Sequence, residues 1–414
     1  MLNSGDISWM LISSALVLLM TPGLAFFYGG LVRRKNSINT LMSSIAIMGI
    51  ASILWVLIGY SLSFVGDIGG LIGTLKAFGL NGIDALPGPY APTIPHLLFA
   101  IFQMMFAIIT PALITGAVIE RMKFGPLLLF AALWSVIVYY PLAHMVWGGG
   151  WLQKLGVLDF AGGTVVHISS GIAALVMAIL VGKRKNHGKM AYRPHNIPFV
   201  LLGASLLWFG WFGFNAGSAG AANEIAVRAF MTTNTAAAAG MLVWMLLETL
   251  TSGKPTLVGC STGFVVGLAA VTNSAGFIPI WAAIVIGALI SPISFFFITR
   301  VKPKFGYDDA LDVFGCHGIG GILGALTTGL FAQKALNPVI QWNGLVFGET
   351  TLFVRQLLTI GFIIVFSAVA TLVVAGIVRL VAGPLKVTAR DEDYGLDLSE
   401  HGETAYPAFN GMDN

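Results

Sequence analysis

Charge is what this sequence has least of. Only 10% of its 414 residues are Asp, Glu, Lys or Arg, against about 25% in ordinary soluble domains. So little polar material does not cover a soluble chain of this length, and 57% of the residues are hydrophobic. A soluble globule is excluded. Cysteine is nearly absent: Cys260 and Cys316 lie in or beside apolar stretches. That argues against a disulfide framework and leaves the redox compartment unread. The opening residues Met1 to Asp6 lack the basic stretch of a signal peptide, so the first apolar segment is expected to stay as a helix. With charge this scarce, the net +4 says nothing about nucleic acid; it reflects how charge is sorted between loops.

What fills the chain instead is a series of apolar runs of about 20 residues, each long enough to cross a bilayer, with a mean hydropathy of +0.86. The expected fold is an all-α polytopic membrane protein of eleven transmembrane helices. They are placed roughly at 8–32, 38–65, 94–119, 124–144, 162–182, 197–219, 226–252, 256–273, 277–299, 313–333 and 351–383. With the N-terminus outside, 17 of the 22 basic residues fall in inner loops or the C-terminal segment, among them Arg33 to Lys35, Lys183 to Lys185 and Arg300 to Lys304. Positive charge stays inside, so the orientation is N-out and C-in, which requires an odd number of spans. Eleven divides into five, five and one. The membrane domain, 1–385, then holds an inverted repeat of about 1–195 and 196–350 with a last helix at 351–383, followed by a cytoplasmic tail at 386–414.

Two histidines lie inside these apolar stretches. His167 closes Asp159-Phe-Ala-Gly-Gly-Thr-Val-Val-His167, and His317 closes Asp312-Val-Phe-Gly-Cys-His317. Each is followed by Gly four residues on, and the copies are 150 residues apart. An ionisable side chain within a bilayer is costly and by default marks a path for something polar. Opposed repeats bring the two imidazoles toward the midplane from opposite faces, a recurring transporter plan. The plain alternative for each is a satisfied structural histidine. Metal binding is the chemical alternative, but Asp and His eight residues apart on one helix do not meet at one ion, so no metal and no cofactor are expected. Neutral imidazole offers one donor and one acceptor and exchanges protons near neutrality. A pair of them suits a small, weakly basic solute that loses a proton on entry.

The neighbouring residues carry two readings each. Asp159 and Asp312 stand where helix N-caps are expected; Asp159 can also lend negative potential to the outer mouth. Phe102 and Phe106 are a turn apart, Trp147 precedes Gly148-Gly-Gly150 in an outer loop, and Trp211, Phe212 and Phe214 precede Asn215-Ala-Gly-Ser218. Aromatic belts and core packing explain such residues. Ring faces also bind small cations, and the Ser218 hydroxyl supplies a directional acceptor.

Those residues resemble the ammonium transporter (Amt/Mep/Rh) family, on its Amt side. The resemblance rests on Asp159 to His167, Trp208-Phe-Gly-Trp-Phe-Gly-Phe-Asn-Ala-Gly-Ser218, Asp308-Asp-Ala-Leu-Asp312-Val-Phe-Gly-Cys-His317-Gly, and the tail Tyr394-Gly-Leu-Asp397 with His401-Gly-Glu403-Thr-Ala-Tyr406. It covers essentially the whole chain, and both histidines are kept where some fungal relatives carry an acid at the first. It implies a homotrimer with one pore per protomer. It implies a substrate-binding site for ammonium at Phe106, Trp147 and Ser218, with Asp159 near the entrance. Phe106 and Phe214 become a stacked gate, and His167 and His317 the twin histidines of the pore. The tail, with Gly395, Asp397, His401, Glu403 and Tyr406, resembles the segment through which PII signal proteins engage the cytoplasmic face.

The expected function is transport of ammonium, possible also for methylammonium, across the cell membrane (plasma or inner) in service of nitrogen metabolism, and not enzymatic catalysis. Ammonium is gathered outside, deprotonated near the gate, and passes the lumen as ammonia. An unpaired ion in an apolar lumen carries a Born penalty of tens of kcal/mol in the limit, which rejects potassium. Whether the proton follows decides between electrogenic uptake and a passive ammonia gas channel. An ammonium sensor read out through the tail is the other reading, and an intramembrane metalloenzyme a third.

Overall fold

The computed structural model of the chain describes residues 1–406; the expected tail segment is thus described as far as Tyr406. Among the described residues there are helices and connecting loops and no β-strand. Ten of the helices among the described residues are long and apolar enough to cross a membrane. They are α1 (Ser4–Leu31), α2 (Arg34–Phe64), α3 (His96–Val118), α4 (Phe124–Lys154), α5 (Gly163–Val181), α6 (Ile197–Gly217), α7 (Glu224–Ser252), α9 (Ile280–Phe305), α10 (Phe314–Phe331) and α11 (Thr351–Ala382). Between α7 and α9 lies the shorter apolar α8 (Leu257–Val271), with 15 residues where a longer helix was expected. At 1.5 Å per residue it is about 22 Å long, and the turn after it is polar: Thr272, Asn273 and Ser274, all buried.

The helix ends follow from short polar residues. Asn3 accepts from Gly5 N–H and Asp6 N–H at the start of α1, Asn196 from Phe199 N–H at α6, and Asn223 from Ala226 N–H at α7. Each satisfies first-turn donors that have no partner within the helix. Gly253, at φ 80°, stops α7 in a left-handed conformation that costs glycine little. Beyond α11 the chain forms the short α12 (Ala389–Tyr394), opened by a capping box between Thr388 and Asp391, and a single wide turn at Asp397–His401.

The most extensive helix pair is α1 against α6. Their backbones nearly touch: a Cβ at Gly203 of α6 would stand 2.1 Å from the Phe27 nitrogen of α1. Small residues at such crossings let helices pack where no water drives them together. The outward faces are apolar and exposed, as at Ile53, Leu242 and Leu358, which suits contact with lipid tails.

One end of the bundle is pinned by buried charge. Glu120, following α3, takes Arg33 and Arg184, and Asp308, before α10, takes Arg184 again at 2.8 Å. Burial pushes both carboxyls up, but the guanidinium partners outweigh it and hold Glu120 below, and Asp308 well below, the usual carboxylate range. The cluster joins the loops after α1, α3, α5 and α9, so it ties the first half of the chain to the second.

Candidate functional site

The site is assembled from α3, α4, α5, α6 and α10. Phe102 and Phe106 do lie a turn apart on α3, with ring centroids 5.0 Å apart. Phe214, on α6, meets Phe106 at 4.3 Å and 35°. Trp147 stands 6.2 Å from Phe106 and nearly perpendicular to it. It is not in a loop as expected, but is the last residue of a helical stretch of α4 before Gly148. Its indole N–H donates to the Asp159 carbonyl at 2.9 Å. The Ser218 hydroxyl donates to the Phe214 carbonyl at 2.8 Å, which leaves its lone pairs free to accept. Phe106, Trp147, Ser218 and Asp159 all line one vestibule of about 450 Å³.

Phe214 also lines the next space down, a passage of about 10 Å³ shared with Trp211, His167 and His317. That is about the room one water needs. The Phe106–Phe214 pair therefore stands between the vestibule and the passage. Within the passage the His167 ring lies 5.5 Å from Trp211 and 5.1 Å from His317, close to parallel with both. The two Nδ1 atoms are 3.2 Å apart. One imidazole must donate there and the other accept, so the pair shares a single proton at that contact. Among the described residues His167 Nε2 is buried without a hydrogen-bond partner. Buried polar atoms are rarely left so, and this one lines the narrow space shared with Trp211 and His317.

Both histidines sit on wide π-type turns. The His167 N–H reaches back five residues to the Gly162 carbonyl at 3.0 Å, and the Ile319 N–H does the same to Phe314. Such single wide turns recur at functional sites. The glycine four residues after each histidine has a packing reason. A Cβ at Gly171 would stand 2.3 Å from the Gly318 backbone, and one at Gly321 would stand 2.5 Å from the Gly163 carbonyl. Each glycine thus lets the opposite histidine helix approach until the rings meet.

Asp159 is a helix cap in full. Its carboxylate accepts from the N–H groups of Gly162, Gly163, Thr164 and Val165 at 2.7 to 3.1 Å and from the Thr164 hydroxyl. Asp312 is not the matching cap of α10. At φ 60° its side chain is turned to Lys302, and Asp309 accepts from Val313 N–H and Phe314 N–H instead. Burial raises the Asp309 carboxyl to about 6.

The tail residues are brought together elsewhere, over the loops at the charged end. Asp397 accepts from Asn39 N–H at 2.8 Å, and His401 pairs with the Asn39 amide at 3.0 Å. The Tyr406 hydroxyl lies 3.1 Å from His195 and 3.0 Å from Asn196. The Glu403 N–H donates to the Asp397 carbonyl. Gly395, at φ 105°, passes so close to Lys35 that a Cβ would stand 2.6 Å from its carbonyl. None of these touches the vestibule or the passage. Sequence reading had not singled out Glu120 or Arg184, whose partners are more than 60 residues away in the chain. The repeated glycines after the histidines were the signal for the close crossing.

The sequence profile of the Ammonium Transporter Family matches residues 8–406. The chain is 50% identical over 405 residues to the ammonium transporter of Bacillus subtilis, covering 98% of this chain and 99% of that one. The crystal structure of Saccharomyces cerevisiae Mep2 superposes with a TM-score of 0.89 at 35% identity, covering 99% of this chain and 93% of that one. A structure of a sensor Amt protein gives a TM-score of 0.87 at 28% identity, covering 96% and 98%.

Proposed function

The chain belongs to the ammonium transporter family, and on that premise we propose that it conducts ammonium across a cell membrane, taking the cation at the vestibule and passing ammonia along the two histidines. The observation that carries this reading is the facing imidazole pair, Nδ1 to Nδ1 at 3.2 Å, in a passage too narrow for a hydrated ion.

Four features support the steps. Trp147 and Phe106 offer ring faces to a small cation, and Ser218 offers lone pairs that favour a hydrogen-bonding cation over a spherical one. The Phe106–Phe214 pair closes the way below, so the cation sheds its water before it moves on. The passage then favours the neutral form, since an ion there pays for desolvation and ammonia does not. The imidazoles replace water as donor and acceptor, and their shared proton lets them hand hydrogen bonds along without charging the lumen.

In this reading all eleven helices cross the membrane, α8 included, N-out and C-in, with the tail in the cytoplasm. The two halves form the inverted repeat, three protomers assemble, and the tail engages a PII protein. The test is electrophysiology on reconstituted protein with ammonium, potassium and pH varied independently. Currents or fluxes that saturate with ammonium and ignore potassium are expected; potassium carried equally would sink the proposal. Ammonium flux without charge movement would reduce it to a passive gas channel.

Two narrower expectations follow. Trp147→Leu raises the half-saturating ammonium concentration about fivefold, for loss of about 1 kcal/mol of cation–π attraction, and leaves the maximal rate nearly unchanged. An equal loss at every concentration would remove Trp147 from recruitment. Deleting the residues after Lys386 abolishes PII binding and changes the transport rate; if neither moves, the tail is only structural. The likeness to a sensor Amt protein favours sensing as the second reading, which predicts ammonium binding with no flux in the same vesicles.

A further inference from the structure

One wall of the vestibule is an irregular run of chain, Gly156 to Phe160, between α4 and α5. Its buried backbone groups need partners that no helix or strand supplies. The last helix supplies them. Gln356 of α11, 0% exposed and so out of reach of water, accepts from the Leu158 N–H at 3.3 Å and donates to the Leu158 carbonyl at 2.7 Å. One side chain thus holds both main-chain groups of one residue, as a neighbouring strand would. Beside it Arg355 donates to the Leu155 carbonyl. From the other side comes Asn273, in the buried turn after α8. Its amide donates to the same Leu158 carbonyl at 3.0 Å and to the Thr328 hydroxyl of α10 at 2.7 Å. Its own backbone carbonyl accepts from the Phe160 N–H at 3.0 Å.

Asp159 stands between these two clamped residues, and it has two groups to place. Its carboxylate is fixed by five donors at the start of α5 and needs nothing from α11. Its carbonyl receives the Trp147 indole N–H at 2.9 Å, the one polar atom of that ring. This carbonyl shares a rigid peptide plane with the Phe160 N–H, which Asn273 holds, and the plane before it ends in the Leu158 carbonyl, which Gln356 holds. The orientation of the Trp147 ring is therefore referred, through two peptide planes, to a glutamine that does not itself line the vestibule.

Resting on the recruitment role proposed above for Trp147, we infer that Gln356 is a positioning residue for ammonium: it holds the Leu158–Phe160 backbone so that the Asp159 carbonyl sets the Trp147 ring at the vestibule. Sites work when the groups that touch the ligand are locked by a surrounding layer of hydrogen bonds, and here the last helix, which follows the two proposed halves, provides that layer. A glutamine that only satisfied Leu158 would contribute stability and nothing to affinity.

The experiment measures ammonium uptake into proteoliposomes holding the full-length protein, and the thermal midpoint of the same preparations. Gln356→Leu, similar in size but apolar, is expected to lower the midpoint and to raise the half-saturating ammonium concentration by up to about the fivefold of Trp147→Leu, at a nearly unchanged maximal rate. Gln356→Asn keeps an amide but is one methylene too short to reach both Leu158 groups. It shifts the half-saturation by about threefold and decides the matter if Gln356→Leu does not fold. Added to Trp147→Leu, either change raises the half-saturation less than about twofold further, because both act through one contact. Thr371→Val is the control. It strips the buried Trp134 indole of its partner further along α11, and so lowers the midpoint without moving the half-saturation. An equal shift by Thr371→Val, full additivity with Trp147→Leu, or an unmoved half-saturation in both Gln356 variants while Trp147→Leu moves it would each overturn the proposal. An unmoved half-saturation in Trp147→Leu would overturn the recruitment reading itself, and the proposal with it.

Discussion

His167→Ala is expected to destroy discrimination between ammonium and potassium rather than simply to slow transport. The imidazole is 1% exposed and sits between three rings, Trp211, Phe214 and His317. Removing it takes away the partner of His317 Nδ1 and leaves a buried polar atom unpaired, at a cost of about 1–3 kcal/mol. The space vacated adjoins a polar site and is large enough for water, which enters where two to four hydrogen bonds await it. A lumen that holds water no longer imposes the full desolvation penalty on an ion. The ratio of ammonium to potassium current in proteoliposomes should fall at least about tenfold, the equivalent of ~1.4 kcal/mol between two barriers. His317→Ala should do the same, and the double variant little more, because the two rings act through one contact and contacting residues are not additive. Unchanged selectivity in either single variant would remove the histidines from the conduction path.

The parts of this molecule that depend on lipid were legible in its sequence, and the parts that depend on loop geometry were not. Long apolar runs leave a chain no alternative to membrane helices, so α1 to α7 and α9 to α11 stand within a few residues of their expected places, except that α4 runs ten residues further, to Lys154, and α9 six further, to Phe305. α8 stops early because the polar turn after it, Thr272 to Ser274, is buried against other helices; the Thr272 hydroxyl accepts from Trp211 at 2.8 Å. No local pattern announces such a partner. The histidines stood out because an imidazole in an apolar stretch is rare, and their shared glycine spacing proved to be the condition for their meeting. Asp309 and Asp312 show the limit. Both are acids before α10, and only the backbone at Asp312, at φ 60°, decides that Asp309 caps the helix. The tail was identifiable as a segment, but its seat on Lys35, Asn39, His195 and Asn196 joins residues up to 362 positions apart in the chain.

Asp159 carries the second large expectation, because two roles meet in one carboxylate. As a cap it answers five donors. Asp159→Ala leaves them unpaired in a buried setting, and at about 1–3 kcal/mol each the loss matches or exceeds the roughly 5–15 kcal/mol by which folded proteins are stable. That variant should not be recovered as folded protein. Asp159→Asn separates the roles. Its amide oxygen can still accept from two of the N–H groups, while its NH₂ now faces the other donors, so the protein should fold with a lower thermal midpoint. Its charge, however, is gone. In the wild type no Lys, Arg or His among the described residues lies within 4.0 Å of the Asp159 carboxylate, so its field reaches the vestibule it lines. Two unit charges a few ångström apart in water attract by about 1 kcal/mol. The half-saturating ammonium concentration of Asp159→Asn should therefore rise about fivefold, and because salt screens a buried charge much less than an exposed one, most of that difference should persist as salt is raised. A variant with a lowered midpoint and an unshifted half-saturation would make Asp159 a cap and nothing more, leaving recruitment to Trp147, Phe106 and Ser218.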